Sequence, residues 1–219
     1  KLVVLGPGYF LDENTNIQAN THPARISGNT TFSTGSSGSV MMGFHFISTV
    51  FINTDKITFS RNRVEIASTF TDAISIQTNV NDVLISQNYV TVNSGGIRCI
   101  YVGSLDTNLI IKNNYLEAQS GYGAIDASVA FTGEISNNVI YGTSASTMTI
   151  SAGNFINNII RSGKYSASGI IPYNNICADT TLKPWTDFGN QINVNMTSVF
   201  ESSGTSDTKW KLSSTGGPA

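Results

Sequence analysis

The clearest pattern along the chain is an eight-residue frame in which apolar and polar positions alternate before a fixed asparagine. The frame reads apolar-x-apolar-x-x-Asn-x-apolar, as in ITFSRNRV (57–64) and VLISQNYV (83–90). Alternation at a period of two is typical of a strand with one buried face, so the frame predicts one short strand per repeat. The six anchoring asparagines, 17 to 26 residues apart, are Asn62, Asn88, Asn114, Asn138, Asn158 and Asn175.

Two weaker copies of the frame precede these six, and a second family of strands lies between the anchors. The weaker copies are VVLGPGYF (3–10), with Gly8 at the anchor position, and ARISGNTT (24–31), with Asn29 there. The intervening strands are AISI (73–76), GIRC (96–99), AIDA (124–127) and TMTI (147–150), with FHF (44–46) as an earlier member. Each coil therefore holds several short strands and a corner that ends in asparagine.

These strands are too short to be stable alone, and the connections between anchors show no helical periodicity that would indicate βαβ units. The strands must stack on their own repeats. The pattern predicts an all-β fold, a right-handed parallel β-helix of about eight coils over residues 1–177. Residues 178–219 break the repeat and are expected to form a tail that packs along the solenoid.

The repeated asparagine has a physical explanation. A tight corner needs a residue that tolerates left-handed backbone angles, as asparagine and glycine do. Identical amides stacked about 4.8 Å apart can also hydrogen-bond to one another, so we expect an asparagine ladder along the solenoid.

Composition and charge exclude several classes of protein. Charged residues make up 12% of the chain, the formal net charge is −2, and 10% of the residues are aromatic, which excludes a disordered chain. No cluster of lysine or arginine marks a nucleic-acid surface, and no apolar stretch is long enough to span a bilayer. Cys99 and Cys177 stand among apolar residues and are interpreted as core thiols.

The anchored frame resembles the right-handed parallel β-helix superfamily typified by pectate lyases, in which a corner carries an asparagine ladder. The segments LGPGYFLDEN (5–14) and DTKWKLSSTGGPA (207–219) also resemble parts of secreted β-helix proteins of Bacteroidetes-type bacteria. The resemblance implies an extracellular or cell-surface location. It also implies that glycan binding or catalysis would occur on the outer face of the intervening strands, which the superfamily counts as its first sheet.

On that face, the alternation predicts an outward column of Ser75, Arg98, Asp126 and Thr149, with Arg98 next to Asp126. Arg98 and Asp126 can be interpreted as an exposed ion pair without a catalytic role. The alternative is that they are catalytic residues of a polysaccharide lyase or a glycoside hydrolase whose groove lies on this face. His45 in FHF is a further candidate for the same groove. Tyr122 and Tyr165 in the flanking loops are candidate platforms for sugar rings.

No cofactor is expected. A calcium site is left open but has no support in the sequence, because it needs several converging oxygen ligands and the loop carboxylates Asp72, Asp82 and Asp106 each lie on a different coil. The residues that follow the anchors form an increasingly apolar outward column, which indicates a covering tail or a protein partner. Its members are Arg63, Tyr89, Tyr115, Val139, Ile159 and Ile176. Because no charged cluster is apparent, the sequence favours a secreted, non-catalytic scaffold that binds a glycan or a protein on a lateral face.

Overall fold

The chain folds into a parallel β-solenoid, as the repeat predicts, and the described residues contain almost no helix. The computed structural model describes residues 1–8, 22–67, 70–93, 95–119, 122–142, 147–167, 169–200 and 212–213. In these ranges the strands form three parallel sheets of seven, eight and seven strands, and each strand pairs with the equivalent strands of the neighbouring coils. We name them sheets A, B and C in the order in which the chain visits them.

Each sheet collects one strand from each coil. Sheet A contains the strands that precede the asparagines: Val3–Leu5, Val40–Met42, Thr58–Ser60, Leu84–Ser86, Leu109–Lys112, Gly133–Ser136 and Asn154–Ile156. Sheet B contains the strands that follow them: Arg25–Ile26, His45–Phe46, Arg63–Ile66, Tyr89–Val92, Tyr115–Ala118, Val139–Gly142, Ile159–Ser162 and Ile176–Cys177. Sheet C contains the intervening strands: Thr30–Phe32, Val50–Ile52, Ile74–Ile76, Ile100–Val102, Ile125–Ala127, Thr147–Ile150 and Lys164–Ala167.

The expected count of about eight coils is too high for the regular part of the solenoid. Between residues 58 and 167, five coils have three or more residues in the strands of all three sheets. The two coils before them have only two residues in sheet B, at Arg25–Ile26 and His45–Phe46, and the last coil contributes Ile176–Cys177. The ends of the solenoid are thus less regular than its middle.

Both weak copies of the frame were misplaced. ARISGNTT is not an anchor copy, since Arg25–Ile26 pairs with His45–Phe46 in sheet B and Asn29 lies before a strand of sheet C. In the second coil the anchor position is Phe44, whose backbone N–H donates to Asn62 Oδ1 at 3.1 Å. In this coil the strand before the corner is Val40–Met42, which pairs with Thr58–Ser60 of the next coil.

The first copy, VVLGPGYF, is one residue out of register. Val3 pairs with Val40 and Val40 with Thr58, so Pro7 rather than Gly8 aligns with the anchor Asn62. Residues 9 and 10 of this copy lie outside the described residues. An apolar-x-apolar pattern alone does not distinguish the two registers, because three consecutive apolar residues fit either one.

The side chains that point inward form one continuous apolar interior. Isoleucine dominates it, and Ile57, Ile85 and Ile111 of successive coils have no exposed surface. Cys99 and Cys177 are buried free thiols, which confirms the prediction that they are core residues. The interior is packed from three sides, and buried side chains of the connections, such as Val80 and Phe131, complete it.

The asparagine column runs along the corner between sheets A and B. Asn62 and Asn88 accept a backbone N–H through Oδ1, from Phe44 and Asn62 respectively. From Asn114 onward, each anchor side chain accepts both the backbone N–H and the amide of the anchor one coil earlier; Asn114 Oδ1, for example, accepts from Asn88 N at 2.9 Å and Asn88 Nδ2 at 3.0 Å. The same pattern continues from Asn175 to Asn190, which extends the column into the segment interpreted as a tail. All seven asparagines of this column, from Asn62 to Asn190, are buried.

The left-handed backbone at this corner belongs to the residue before each anchor. The positive φ values, between 53° and 57°, occur at Arg61, Gln87, Asn113, Asn137, Asn157 and Asn174. The anchors are therefore selected for their hydrogen bonds, and the expectation that they adopt the left-handed conformation was wrong.

The described residues of the C-terminal segment stack on the last coil. A 3₁₀ helix, Lys183–Phe188, leads to Gly189 and Asn190, and Gln191 then bridges to Ile176 of sheet B. A short α-helix, Met196–Val199, follows. Trp185 packs edge-on against Tyr165 with 5.8 Å between ring centroids, so this segment closes the interior of the last coil. Trp210, also expected in the tail, lies outside the described residues.

Candidate functional site

The outward column of sheet C differs from the predicted one at a single coil. Ser75 pairs with Tyr101, Tyr101 with Asp126, and Asp126 with Thr149, so Tyr101 occupies the position assigned to Arg98. The strand in that coil is Ile100–Val102 and not GIRC (96–99). The coil spacing could have identified Tyr101, because it lies as many residues after Ser75 as Asn88 lies after Asn62.

Arg98 still reaches the face of sheet C, from the corner before its strand. Its Nε donates to Asp72 Oδ1 at 2.9 Å and its Nη1 donates to Asp126 Oδ2 at 2.5 Å. Its Cζ lies 3.9 Å from the ring centroid of Tyr101. The predicted contact between Arg98 and Asp126 is therefore present, and sequence reasoning missed the roles of Asp72 and Tyr101. We call Asp72, Arg98, Tyr101 and Asp126 the Arg98 cluster.

Partial burial strengthens the electrostatics of this cluster. The side chains of Asp72, Arg98 and Asp126 are only 11 to 25% exposed, so water screens their interactions incompletely. Burial raises the pKa of Asp72, and the charge of Asp126 adds to that rise, against the opposing effect of Arg98. Burial alone would lower the pKa of the Arg98 guanidinium, but Asp72 and Asp126 outweigh it and raise that pKa. Arg98 thus stays protonated.

Two exposed aromatic side chains lie in the loops that lead into sheet C. Phe70, two residues before Asp72, is 80% exposed and has a φ of 63°. Its backbone N–H donates to the carbonyl of Gly95 in the next coil at 2.7 Å, which fixes this loop. Tyr122, four residues before Asp126, is 57% exposed, as expected of a platform residue. Phe70 was missed, since a loop phenylalanine carries no periodic signal.

Tyr165 and His45 do not lie at this site. Tyr165 is buried in the interior, where its ring stacks on Phe155 at 4.8 Å, so it offers no exposed face to a sugar. His45 belongs to sheet B, where it pairs with Arg63, and its Nε2 lies 2.8 Å from Glu65 Oε2. FHF therefore does not belong to the intervening strands, and the groove combining His45 with Arg98 is not assembled.

The column that follows the anchors runs along the outer face of sheet B as predicted. Consecutive pairing joins Tyr89 to Tyr115, Tyr115 to Val139, Val139 to Ile159 and Ile159 to Ile176. The rings of Tyr89 and Tyr115 stack with 4.8 Å between centroids. Tyr115 is buried, and the other members of the column are partly exposed.

At the N-terminal end of this column, Glu65 binds two basic side chains. Arg63 Nη2 donates to Glu65 Oε1 at 2.7 Å, and His45 contacts the other oxygen. Burial would raise the pKa of Glu65, but the hydrogen bonds from His45 and Arg63 outweigh it and lower that pKa to about 2. Glu65 thus joins two neighbouring coils electrostatically.

We expect the free energy of unfolding to fall less steeply at acidic pH in Glu65→Gln than in the native chain. The Glu65 pKa is lower in the folded chain, so its ionised form stabilises the fold above the ordinary glutamate pKa of 4.5. That contribution is lost as the pH falls from 4.5 towards about 2. Denaturant unfolding midpoints at several pH values between 7 and 2 should show a steeper acid loss for the native chain than for the variant. Parallel profiles for the two proteins would contradict this assignment.

The three aspartates considered for calcium do not converge. Asp72 binds Arg98, Asp82 Oδ1 accepts from Asn108 Nδ2 at 2.7 Å, and Asp106 Oδ1 accepts from Val80 N and from the Ser104 hydroxyl. Within the described ranges, no group of three or more His, Cys, Asp or Glu side chains is arranged to hold a metal ion.

The part of the chain that the structure describes contains no helix long and apolar enough to cross a membrane.

The chain matches no protein-family model, no curated protein and no solved structure. Its class is therefore defined by the fold and surface alone, as a parallel β-solenoid with a charged and aromatic cluster on sheet C.

Proposed function

We propose that this chain is a secreted or cell-surface, non-catalytic scaffold that binds a glycan at the Arg98 cluster on sheet C. The observation that carries the proposal is Phe70, an aromatic side chain that is 80% exposed in a left-handed backbone conformation. Such a conformation is a genuine outlier for a bulky residue, and backbone strain of this kind concentrates at functional sites. A right-handed, pectate-lyase-like architecture is part of the proposal, on the basis of the repeated sequence frame.

The surroundings of Phe70 support a sugar ligand. A sugar ring presents an apolar face and a rim of hydroxyl groups, so a binding site needs aromatic surface beside hydrogen-bonding groups. Phe70 and Tyr122 supply exposed aromatic surface, and the carboxylates of Asp72 and Asp126 supply acceptors. The backbone bond from Phe70 to Gly95 holds the loop in place before the ligand arrives.

The state of Arg98 supports binding without catalysis. A lyase base must lose its proton to accept one from the sugar, and its pKa should therefore be lowered. In the Arg98 cluster the two carboxylates raise the pKa of the guanidinium instead. Arg98 is therefore suited to bridge the two carboxylates and to donate hydrogen bonds.

A glycoside hydrolase is the second candidate, and one observation favours it. Hydrolases of this kind use two carboxyl groups, one of them with a raised pKa to act as general acid. Asp72 has a raised pKa, and Arg98 links it to Asp126. Reducing-end release that disappears in Asp72→Asn would establish this alternative.

The proposal is tested by Phe70→Gly. We expect at least a tenfold loss of glycan affinity, equivalent to about 1.4 kcal/mol of stacking contact, while the stability of the fold does not decrease, because glycine tolerates this φ. Calorimetric titration with polysaccharides measures binding, and assays of reducing ends and of unsaturated products on the same samples measure turnover.

The matched control is Leu105→Ala, which removes another exposed apolar side chain, 59% exposed, from the loop that follows the sheet C strand Ile100–Val102. This control should bind as the native chain does. Unchanged affinity in Phe70→Gly would contradict the proposal, and turnover by the native chain would contradict its non-catalytic part.

A further inference from the structure

The Arg98 cluster carries more negative than positive charge. The guanidinium of Arg98 faces two carboxylates, Asp72 and Asp126, with contacts of 2.9 and 2.5 Å. One face of the guanidinium also lies against the ring of Tyr101. Arg98 therefore uses both ion-pair contacts and one face of its guanidinium within the protein. With two carboxylates and one guanidinium, the cluster has a net charge of −1.

Because water screens these charges incompletely, the net negative charge determines which ligands the cluster can bind. The three charged side chains are at most 25% exposed, so a ligand carboxylate placed beside them would be repelled across a medium of low effective dielectric constant. The other members of the outward column of sheet C, Ser75 and Thr149 among them, are uncharged. The exposed cation Lys164 lies two strands further along the sheet from Asp126.

The same groups suit hydroxyl groups well. Each carboxylate accepts from Arg98 through one oxygen, and the Asp126 Oδ1 atom also accepts the backbone N–H of Ser128 at 3.2 Å. A carboxylate has about four lone-pair positions, so acceptor capacity remains on both aspartates for sugar hydroxyls. Such charge-assisted bonds are about twice as strong as neutral ones.

On the basis of the proposed function, we infer that the ligand of the Arg98 cluster is a neutral, hydroxyl-rich glycan and not a polyuronate or a sulfated glycan. The excess carboxylate accepts hydroxyl donors and rejects anionic sugars. This charge balance argues against the uronate chemistry of a lyase.

The ligand class is tested by titrating the whole chain with neutral gluco-, manno-, galacto- and xylo-oligosaccharides and with oligogalacturonate, each at low and high NaCl. We expect a neutral series to bind with an affinity that changes less than twofold with salt, and the uronate to show no binding. Uronate binding that is weakened by salt and lost in Phe70→Gly would overturn this inference and leave the proposed function intact. Absence of binding to every glycan would overturn both.

Charge reversal provides the second test. In the double variant Asp72→Asn/Asp126→Asn, Arg98 keeps its charge and loses both anionic partners. We therefore expect oligogalacturonate to bind at least tenfold above the detection limit at which the native chain shows no binding. Asp82→Asn is the matched control, since Asp82 is exposed and its φ of 58° suits asparagine. Thermal unfolding of each variant verifies the fold. A folded double variant that gains no uronate affinity would overturn the inference.

Discussion

Replacing Asn114 by alanine is expected to lower the free energy of unfolding by about 3 to 5 kcal/mol, more than most single substitutions in the chain. Asn114 Oδ1 accepts both the backbone N–H and the side-chain amide of Asn88, at 2.9 and 3.0 Å. Both donors are buried, and each buried donor left without an acceptor costs roughly 1–3 kcal/mol. The variant also loses the bonds from Asn114 Nδ2 to Ile85 O and Asn138 Oδ1.

Two controls separate these hydrogen bonds from other effects. Asn114→Asp keeps the accepting oxygen, loses the amide donor and places a charge in a buried position, so it should also be strongly destabilising. Asn113→Gly changes the exposed neighbour at a φ of 57° and should stay within about 1 kcal/mol of the native chain. Chemical denaturation measures all three. Equal effects at positions 113 and 114 would contradict a specific role for the buried amide.

The repeat identified the fold because one physical requirement recurs in every regular coil. A buried asparagine side chain is costly unless it is fully bonded, so six of them in one frame already imply stacked coils. The sequence could not tell which corner residue takes the left-handed conformation. Arg61 and Gln87 occupy that position in two coils, and neither residue type is typical of it.

The ends of the solenoid were harder to predict than its middle. Asn190 extends the column, but the anchor spacing shrinks to 15 residues there, below the range of the regular repeats. In the second coil Phe44 replaces the asparagine, and the frame gives no signal. Terminal repeats have only one neighbour to pack against, and their sequences therefore differ from the internal ones.

The candidate site was predicted in part. The contact between Arg98 and Asp126 followed from their proximity in successive coils, but the strand was placed at GIRC instead of at Ile100–Val102. The coil spacing could also have predicted the contact between Asp72 and Arg98, which lie 26 residues apart. Phe70 is matched by Gly96 one coil later, so no repeat marks its aromatic side chain. Periodicity therefore locates the face of sheet C and its charged contacts, while the exposed aromatic residue beside them follows no repeat.

Replacing Phe59 by alanine is expected to cost about 3 to 5 kcal/mol, as for other fully buried phenylalanines. Phe59 of sheet A is completely buried, and its ring centroid lies 5.3 Å from that of Phe46 in sheet B and 6.4 Å from that of Phe32 in sheet C. The three rings come from three successive coils and join all three sheets. Phe59→Leu keeps most of the volume and should cost less than about 1.5 kcal/mol.

Because a solenoid is stabilised mainly by contacts between neighbouring coils, the loss in Phe59→Ala should be local. The coils before Phe59 have only two-residue strands in sheet B, at Arg25–Ile26 and His45–Phe46, so their attachment depends strongly on the three rings. Hydrogen exchange should become faster at Val50–Ile52 and at these strands and remain slow at Ile125–Ala127. A double-mutant cycle with Phe46→Ala should show coupling of about 0.5–1.5 kcal/mol. Faster exchange spread evenly along the solenoid would mean that the chain unfolds as a single unit and that the phenylalanine cluster has no special role at its N-terminal end.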